Sequence, residues 1–177
     1  ASNAPTTTDR VITLTQMQDT GGTANSGVDT VNLAIARTVK LTAVDSAPTS
    51  GANTGLTLPD GATKIISTTE LSTTDADTAA TALTYTVTDA TDRGTLFRDI
   101  DGDGVADANE VLALNSTFTQ QDLADNRIKY VNTAGAGADS FAFKVADGTN
   151  TAITGTFNIT VGATATTPGV TGGGTTT

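Results

Sequence analysis

Apolar residues recur at every second position over much of the chain, with polar residues, often threonine, between them. The segments that show this alternation are Val31-Leu33-Ile35, Val39-Leu41-Ala43, Leu83-Tyr85-Val87, Ile128-Tyr130, Phe141-Phe143-Val145 and Phe157-Ile159-Val161. Because successive side chains of a strand point to opposite faces, each segment places its apolar residues on one side. The pattern predicts half-buried β-strands with β-branched threonine on the solvent side, including one long strand from Val31 to Ala43.

Turn-forming residues separate these segments at intervals of about ten residues. The turn signals are Thr20-Gly21-Gly22, Ser26-Gly27, Pro59-Asp60-Gly61, Asp92-Arg93-Gly94, Gly135-Ala136-Gly137 and Asp147-Gly148. Many short strands with such turns between them are typical of two packed sheets. The sequence therefore predicts an all-β fold, an antiparallel β-sandwich.

The segment from Phe118 to Arg127 departs from the strand pattern. Apolar Phe118 precedes Thr119, which can cap a helix, and Asp122 follows three positions later. This order is related to the capping box found at helix starts. We expect one short helical turn that stops near Asn126; a plain loop between two strands is the alternative.

Composition narrows the range of functions. Of the 177 residues, 37% are apolar, the net charge is −10, and there is no cysteine or histidine. Thiol nucleophiles, Ser-His-Asp relays and the usual zinc sites are thereby excluded. A glycosidase with paired carboxylates needs neither residue type, but such sites carry aromatic platforms and the chain has no tryptophan. We expect no catalysis.

The same composition argues against two classes of partner. A strongly acidic surface is a poor match for nucleic acid or for an anionic membrane. No apolar run approaches the roughly 20 residues that span a bilayer. We expect neither nucleic-acid binding nor membrane insertion.

Residues 99–110 carry the clearest chemical motif, Asp-Ile-Asp-Gly-Asp-Gly-Val-Ala-Asp-Ala-Asn-Glu. A twelve-residue calcium loop takes oxygen ligands at set positions and turns sharply at a glycine in position 6, which is Gly104 here. The predicted ligands are the side chains of Asp99, Asp101, Asp103, Asp107 and Glu110 and the backbone carbonyl of Val105. A solvated acidic turn and a magnesium site are the alternatives. The flanking segments are β-prone and not helical, so we expect a structural Ca²⁺ site inserted at the end of a β-hairpin.

Several short motifs between residues 53 and 161 occur in the order seen in a known family. They are Asn53-Thr54-Gly55-Leu56-Thr57, Ile65 to Asp77, Leu83 to Val87, Gly94-Thr95-Leu96, Phe118 to Leu123, Arg127 to Tyr130 and Asp139 to Gly148. The chain resembles chondroitin-sulfate-proteoglycan-type, cadherin-like repeats, which bacterial surface proteins string in tandem. The resemblance implies an Ig-like Greek-key sandwich in an extracellular protein. It departs from the usual pattern at residues 98–110, where the acidic loop replaces a shorter hairpin.

The resemblance also implies a second calcium site. Cadherins coordinate calcium through a paired-aspartate motif and a later Asp-Gly, and Asp75, Asp77 and Asp147 occupy similar places. Three carboxylates do not supply the six or more ligands of calcium. The alternative is that these residues cap turns by accepting hydrogen bonds from nearby backbone amides.

Three regions follow from these patterns. Residues 1–50 look like the closing strands of a preceding repeat with a linker, and Val44 to Pro48 is similar to the linkers of tandem cadherin-like arrays. Residues 51–162 form the sandwich, and the threonine- and glycine-rich residues 163–177 form a tail or linker. Half a sandwich cannot bury its own apolar face, so we expect a neighbouring repeat or another copy to complete residues 1–50 by strand complementation.

The leading hypothesis is a secreted or cell-surface module, bacterial by resemblance, that is structural or adhesive and stiffened by calcium. One form of it is a self-assembling filament, in which the N-terminal strands of one copy complete the sheet of the next. A host or matrix surface is a further expected partner. The alternative from another class is a calcium-dependent module that binds carbohydrate or a host protein.

Overall fold

The computed structural model describes residues 8–27, 29–150 and 152–163. The chain divides into two compact units, Ala1–Asp45 and Ser46–Thr177. The predicted tail, apart from residue 163, lies outside the described residues.

The described residues of the first unit form a two-stranded antiparallel hairpin. Strand β1 spans Arg10–Gln18, strand β2 spans Thr30–Val39, and a 3-10 turn at Ala24–Ser26 lies in the connection. β2 is shorter than the predicted strand, which ran to Ala43. The reason is that Arg10, the first residue of β1, already pairs with Val39, so β1 has no residue left to pair beyond that point.

The second unit contains the remaining strands and a single described α-helix. The strands are β3 (Thr49–Asn53), β4 (Leu56–Pro59), β5 (Thr63–Ile65), β6 (Leu71–Thr74), β7 (Thr84–Asp89), β8 (Gly94–Arg98), β9 (Thr117–Thr119), β10 (Ile128–Asn132), β11 (Gly137–Ala146) and β12 (Ile153–Gly162). They form a five-stranded sheet in the order β4-β12-β11-β7-β9, a three-stranded sheet in the order β5-β10-β8, and the pair β3-β6. The predicted all-β sandwich is confirmed. One pair, β12 with β4, is parallel, which the antiparallel prediction did not include.

The core lies between these sheets and uses the apolar positions that the alternation marked. In β11, Phe141, Phe143 and Val145 are buried in turn, while the residues between them are more exposed. Aromatic rings cross the core, with Tyr85 stacked on Phe118 at 4.8 Å between ring centroids. Aromatic pairs at such separations add packing energy beyond their buried area.

Helix α1 spans Gln120–Ala124 and begins with the predicted capping box. The Thr119 side chain accepts a hydrogen bond from the Asp122 amide at 3.1 Å, and the Asp122 carboxylate accepts one from the Thr119 amide at 2.8 Å. Asn126 follows the helix with φ of 58°, a left-handed conformation that asparagine adopts more readily than most residues. Among the described residues, no helix is long and apolar enough to cross a membrane.

Candidate metal centre

The acidic loop, residues 99–110, leaves the end of β8 and is closed at its base by antiparallel hydrogen bonds. The Arg98 amide donates to the Glu110 carbonyl at 2.9 Å, and the Leu112 amide donates to the Leu96 carbonyl at 2.8 Å. The antiparallel pairing of the predicted hairpin is limited to the base of the loop, because β8 belongs to the three-stranded sheet and the next strand, β9, to the five-stranded sheet. After the loop the chain crosses from one sheet to the other, because Leu112 and Phe118 are buried in the core between them.

Inside the loop, carboxylates accept hydrogen bonds from backbone amides further along. Asp99 Oδ1 accepts from the Gly102 amide at 2.7 Å, and Asp99 Oδ2 accepts from the Gly104 amide at 3.2 Å. Gly102 and Gly104 have φ of 85° and 77°, a region that residues with a Cβ rarely adopt. The sharp turn expected at Gly104 is therefore present, and it brings position 6 of the loop back over position 1.

Three of the predicted ligands lie together. One carboxylate oxygen from each of Asp99, Asp101 and Asp103 is within 4.8 Å of the others, and Asp99 is buried while the other two are exposed. Negative charges this close repel one another and favour binding of a cation. Carboxylate oxygens are the ligands that calcium prefers.

Glu110, at position 12, supplies the observation that tests the fit of a cation. The residue is 3% exposed, and its Oε1 accepts a hydrogen bond from the Ile100 amide at 2.6 Å. Its Oε2 is buried and has no hydrogen-bond partner. A buried polar atom without a partner is costly, and a hard cation bound to this oxygen would remove that cost. The donor set fits calcium on this ground.

The two remaining predicted ligands, Val105 and Asp107, are exposed. The Val105 amide donates to Asp103 Oδ1 at 2.7 Å, and the Asp107 carbonyl accepts from the Glu110 amide at 2.9 Å. The side chain of Asp107 is not part of the close carboxylate group, and neither is that of Glu110. The structure thus brings three predicted ligands within 4.8 Å of one another and holds the others at the later turns of the same loop.

Sequence reasoning missed a basic residue at this site. Lys129, the second residue of β10, forms an ion pair through Nζ with Asp99 Oδ2, and the two side chains are 17% and 3% exposed. This hydrogen bond is the main reason that the pKa of the Asp99 carboxyl lies below its ordinary value. The only sequence signal was a lysine between the strand-pattern residues Ile128 and Tyr130. Its contact with the loop depends on the sheet register.

The residues predicted for a second site make mainly local hydrogen bonds. Asp75 Oδ1 accepts from the Asp77 and Thr78 amides at 2.9 and 3.0 Å. Asp147 Oδ1 accepts from the Thr149 and Asn150 amides at 2.8 Å. These backbone hydrogen bonds lower the pKa of both carboxyls.

Asp77 instead accepts a longer-range hydrogen bond, from the Ser46 amide at 3.2 Å. Within the described residues, Asp75, Asp77 and Asp147 do not form a close carboxylate group like that of the loop. Asp75 Oδ2 is nevertheless buried without a hydrogen-bond partner. A second cation at these residues stays a prediction.

A family model described as Cadherin-like matches residues 48–161. This span covers nearly all of the second unit's described residues, including the acidic loop. The chain belongs to the cadherin-like family. The match confirms the cadherin-like part of the resemblance, and it agrees with the sandwich topology described above.

Three relatives of the cadherin-like chain are animal matrix proteins. Extracellular matrix protein 3 of Lytechinus variegatus is 40% identical over 118 residues, 66% of this chain and 4% of that protein. Extracellular matrix organizing protein FRAS1 is 35% identical over 99 residues in Homo sapiens, 55% of this chain and 2% of the relative. The Mus musculus protein is 36% identical over 118 residues, 66% of this chain and 3% of the relative. The chain therefore spans only a small fraction of the relatives that it matches.

Proposed function

We propose that this cadherin-like chain is an extracellular structural or adhesive module whose loop 99–110 binds calcium. The observation that carries the proposal is the buried, unpartnered Glu110 Oε2 in the same loop as the clustered carboxylates of Asp99, Asp101 and Asp103. The relatives bear the names of extracellular matrix proteins, which supports the extracellular assignment. A bacterial source stays a prediction from the resemblance alone.

The charge of the loop explains why a divalent cation suits it. Five carboxylates lie within the twelve residues, and Lys129 supplies one opposing charge. Asp99, Asp101, Asp103 and Glu110 would hold the ion, with the Asp107 carboxylate and the Val105 carbonyl as the further predicted ligands. Because Asp99 and Glu110 stand at opposite ends of the loop, an ion bound to both would tie its two ends together.

Calcium titration of matched variants tests this assignment. Glu110→Gln retains an oxygen for the Ile100 amide but removes the charge and the second carboxylate oxygen. The wild-type melting temperature is expected to rise with calcium, because an ion that binds only the folded state adds about 2.7 kcal/mol at a concentration one hundred times Kd. In Glu110→Gln this rise is expected to be smaller at the same calcium concentration, and isothermal titration calorimetry should show calcium affinity weakened at least about tenfold.

Asp92→Asn is the control. Asp92 is an exposed acidic residue outside the loop, so the variant removes the same charge without removing a ligand. Wild-type affinity in Glu110→Gln, or equal weakening in both variants, would contradict the loop assignment. The number of calcium ions bound per chain in the same titration tests the second site. If Asp75, Asp77 and Asp147 also bind calcium, more than one ion per chain is expected.

The partner proposal concerns the β1–β2 hairpin. Register places Ile12 and Leu14 of β1 on the same face as Ile35 and Val39 of β2, and all four are exposed in the structure. The opposite face carries Thr13, Ala36 and Thr38 beside exposed Val11. The register shift after Leu14 brings the exposed Met17–Val31 pair to that face as well. A two-stranded hairpin is marginal in water unless another element covers its exposed apolar side chains.

We propose that a second copy of the chain, or a neighbouring repeat, supplies the covering sheet. Arg10 and Arg37 lie on the same face as Leu14 and Ile35 by register, whereas residues 46–177 contain fifteen acidic and six basic residues. This complementarity of charge favours a sandwich of the same kind as the occupant. A contact between unlike surfaces of two copies propagates along a filament and does not close into a dimer.

Sedimentation velocity over a range of chain concentrations measures such association. Ile35→Asp places a charge on the face of Leu14 and Ile35 and is expected to dissociate the assemblies, whereas Thr38→Asp places the same charge on the opposite face and should leave them intact. A wild-type chain that stays monomeric at all concentrations would exclude the second copy as the occupant.

A further inference from the structure

The strand β10 carries Lys129 to the face of the three-stranded sheet that lies away from the core. Ile128 and Tyr130 are fully buried in the core, and side chains of a strand alternate between faces. Lys129 pairs in register with Phe97 of β8, two residues before the loop begins at Asp99. The ammonium group therefore comes from the sheet beneath the loop and not from the loop itself.

At the loop, Lys129 Nζ contacts the first predicted ligand. Asp99 Oδ2 accepts hydrogen bonds from both Lys129 Nζ and the Gly104 amide. Nζ also lies 3.7 Å from the position that a Cβ on Gly104 would take. The lysine thus lies beside positions 1 and 6 of the loop. Its charge neutralises part of the negative charge of the carboxylate cluster, and its ammonium group remains hydrogen-bonded to Asp99.

We infer that Lys129 is an internal counter-ion that holds the loop together without calcium and lowers the affinity of the loop for calcium. This inference rests on the proposed calcium function. A divalent ion bound to Asp99 meets a positive charge already on that carboxylate, so binding requires the lysine to move away or to tolerate repulsion. The residue would place calcium affinity in the weak range typical of extracellular modules, about 0.1 to 1 mM.

Three substitutions separate this role from simple structural support. Lys129→Gln removes the charge and keeps a hydrogen-bond donor for Asp99, Lys129→Arg keeps the charge, and Lys144→Gln removes an exposed charge from β11. Calcium affinity is measured by isothermal titration calorimetry, and thermal unfolding is followed in excess chelator and in calcium.

Lys129→Gln is expected to bind calcium about tenfold to a hundredfold more tightly than wild type, because the repulsion at Asp99 is removed. In chelator the same variant should melt at a lower temperature, since a buried carboxylate loses its charged partner. Lys129→Arg should bind calcium with affinity near that of wild type, and Lys144→Gln should change neither quantity.

Three outcomes would overturn the inference in distinguishable ways. If wild type binds calcium and Lys129→Gln binds with equal or lower affinity, Lys129 is only a structural support, and the proposed function stands. If neither protein binds calcium at millimolar concentrations, the proposed function fails and the role of Lys129 fails with it. If Lys129→Gln does not fold in chelator, Lys129→Arg supplies the test. Because this variant keeps the charge, a calcium affinity well above that of wild type would contradict the inference.

Discussion

The described residues include two long antiparallel hairpins in which apolar residues pair across the strands but differ in exposure. In β1–β2, Leu14 pairs with Ile35 and both side chains are about half exposed. In β11–β12, Phe141 pairs with Phe157 and both are fully buried. Alternation therefore selects the face on which apolar side chains lie. Whether that face is buried depends on a second sheet, which β11–β12 has in its own unit.

The largest expected effect comes from truncating one residue in each hairpin. Phe157→Ala removes a ring packed 5.2 Å from that of Phe141 between centroids and is expected to lower the free energy of unfolding by about 3–5 kcal/mol. Ile35→Ala removes a side chain that is exposed in the single chain and, at concentrations where the chain is monomeric, should change it by less than about 0.5 kcal/mol. Urea denaturation followed by tyrosine fluorescence reports the difference, because Tyr85 and Tyr130 both lie in the sandwich core. Equal losses in the two variants would show that the hairpin face is buried in solution.

A smaller effect on the same comparison is expected at high pH. Burial raises the pKa of Tyr85 and of Tyr130 to about 12, from an ordinary value of 10.0. The stabilisation from the protonated hydroxyls is complete below pH 10 and is lost as the pH rises toward 12. Spectrophotometric titration should therefore show both tyrosines ionising late and together with unfolding of the sandwich.

The hairpin of the first unit contains neither of the two tyrosines, so this titration reports on the sandwich alone. Ile35→Ala should leave the titration curve in place, whereas Phe157→Ala should move ionisation to lower pH. Normal ionisation near pH 10 in the folded wild-type protein would contradict the burial of the two hydroxyls.

Much of the fold could be predicted because its signals are local. The capping box of Thr119 and Asp122 needs only residues three apart, and the order of ligand types in loop 99–110 needs only the twelve residues themselves. The end of β2 at Val39 could not be predicted, because it depends on where β1 begins. The crossing of the chain from β8 to β9 was missed for a similar reason, since the burial of Leu112 and Phe118 decides it.

The candidate site divides in the same way. The sequence by itself determined which oxygens the loop can offer and that Gly104 allows its sharp turn, because these depend on residue type and spacing. Only the tertiary structure decided that Glu110 Oε2 is buried without a partner and that Lys129 reaches Asp99. Both facts arise from packing the loop against a sheet whose strands are distant in sequence, and charge interactions across such contacts depend on distances that the order of residues does not specify.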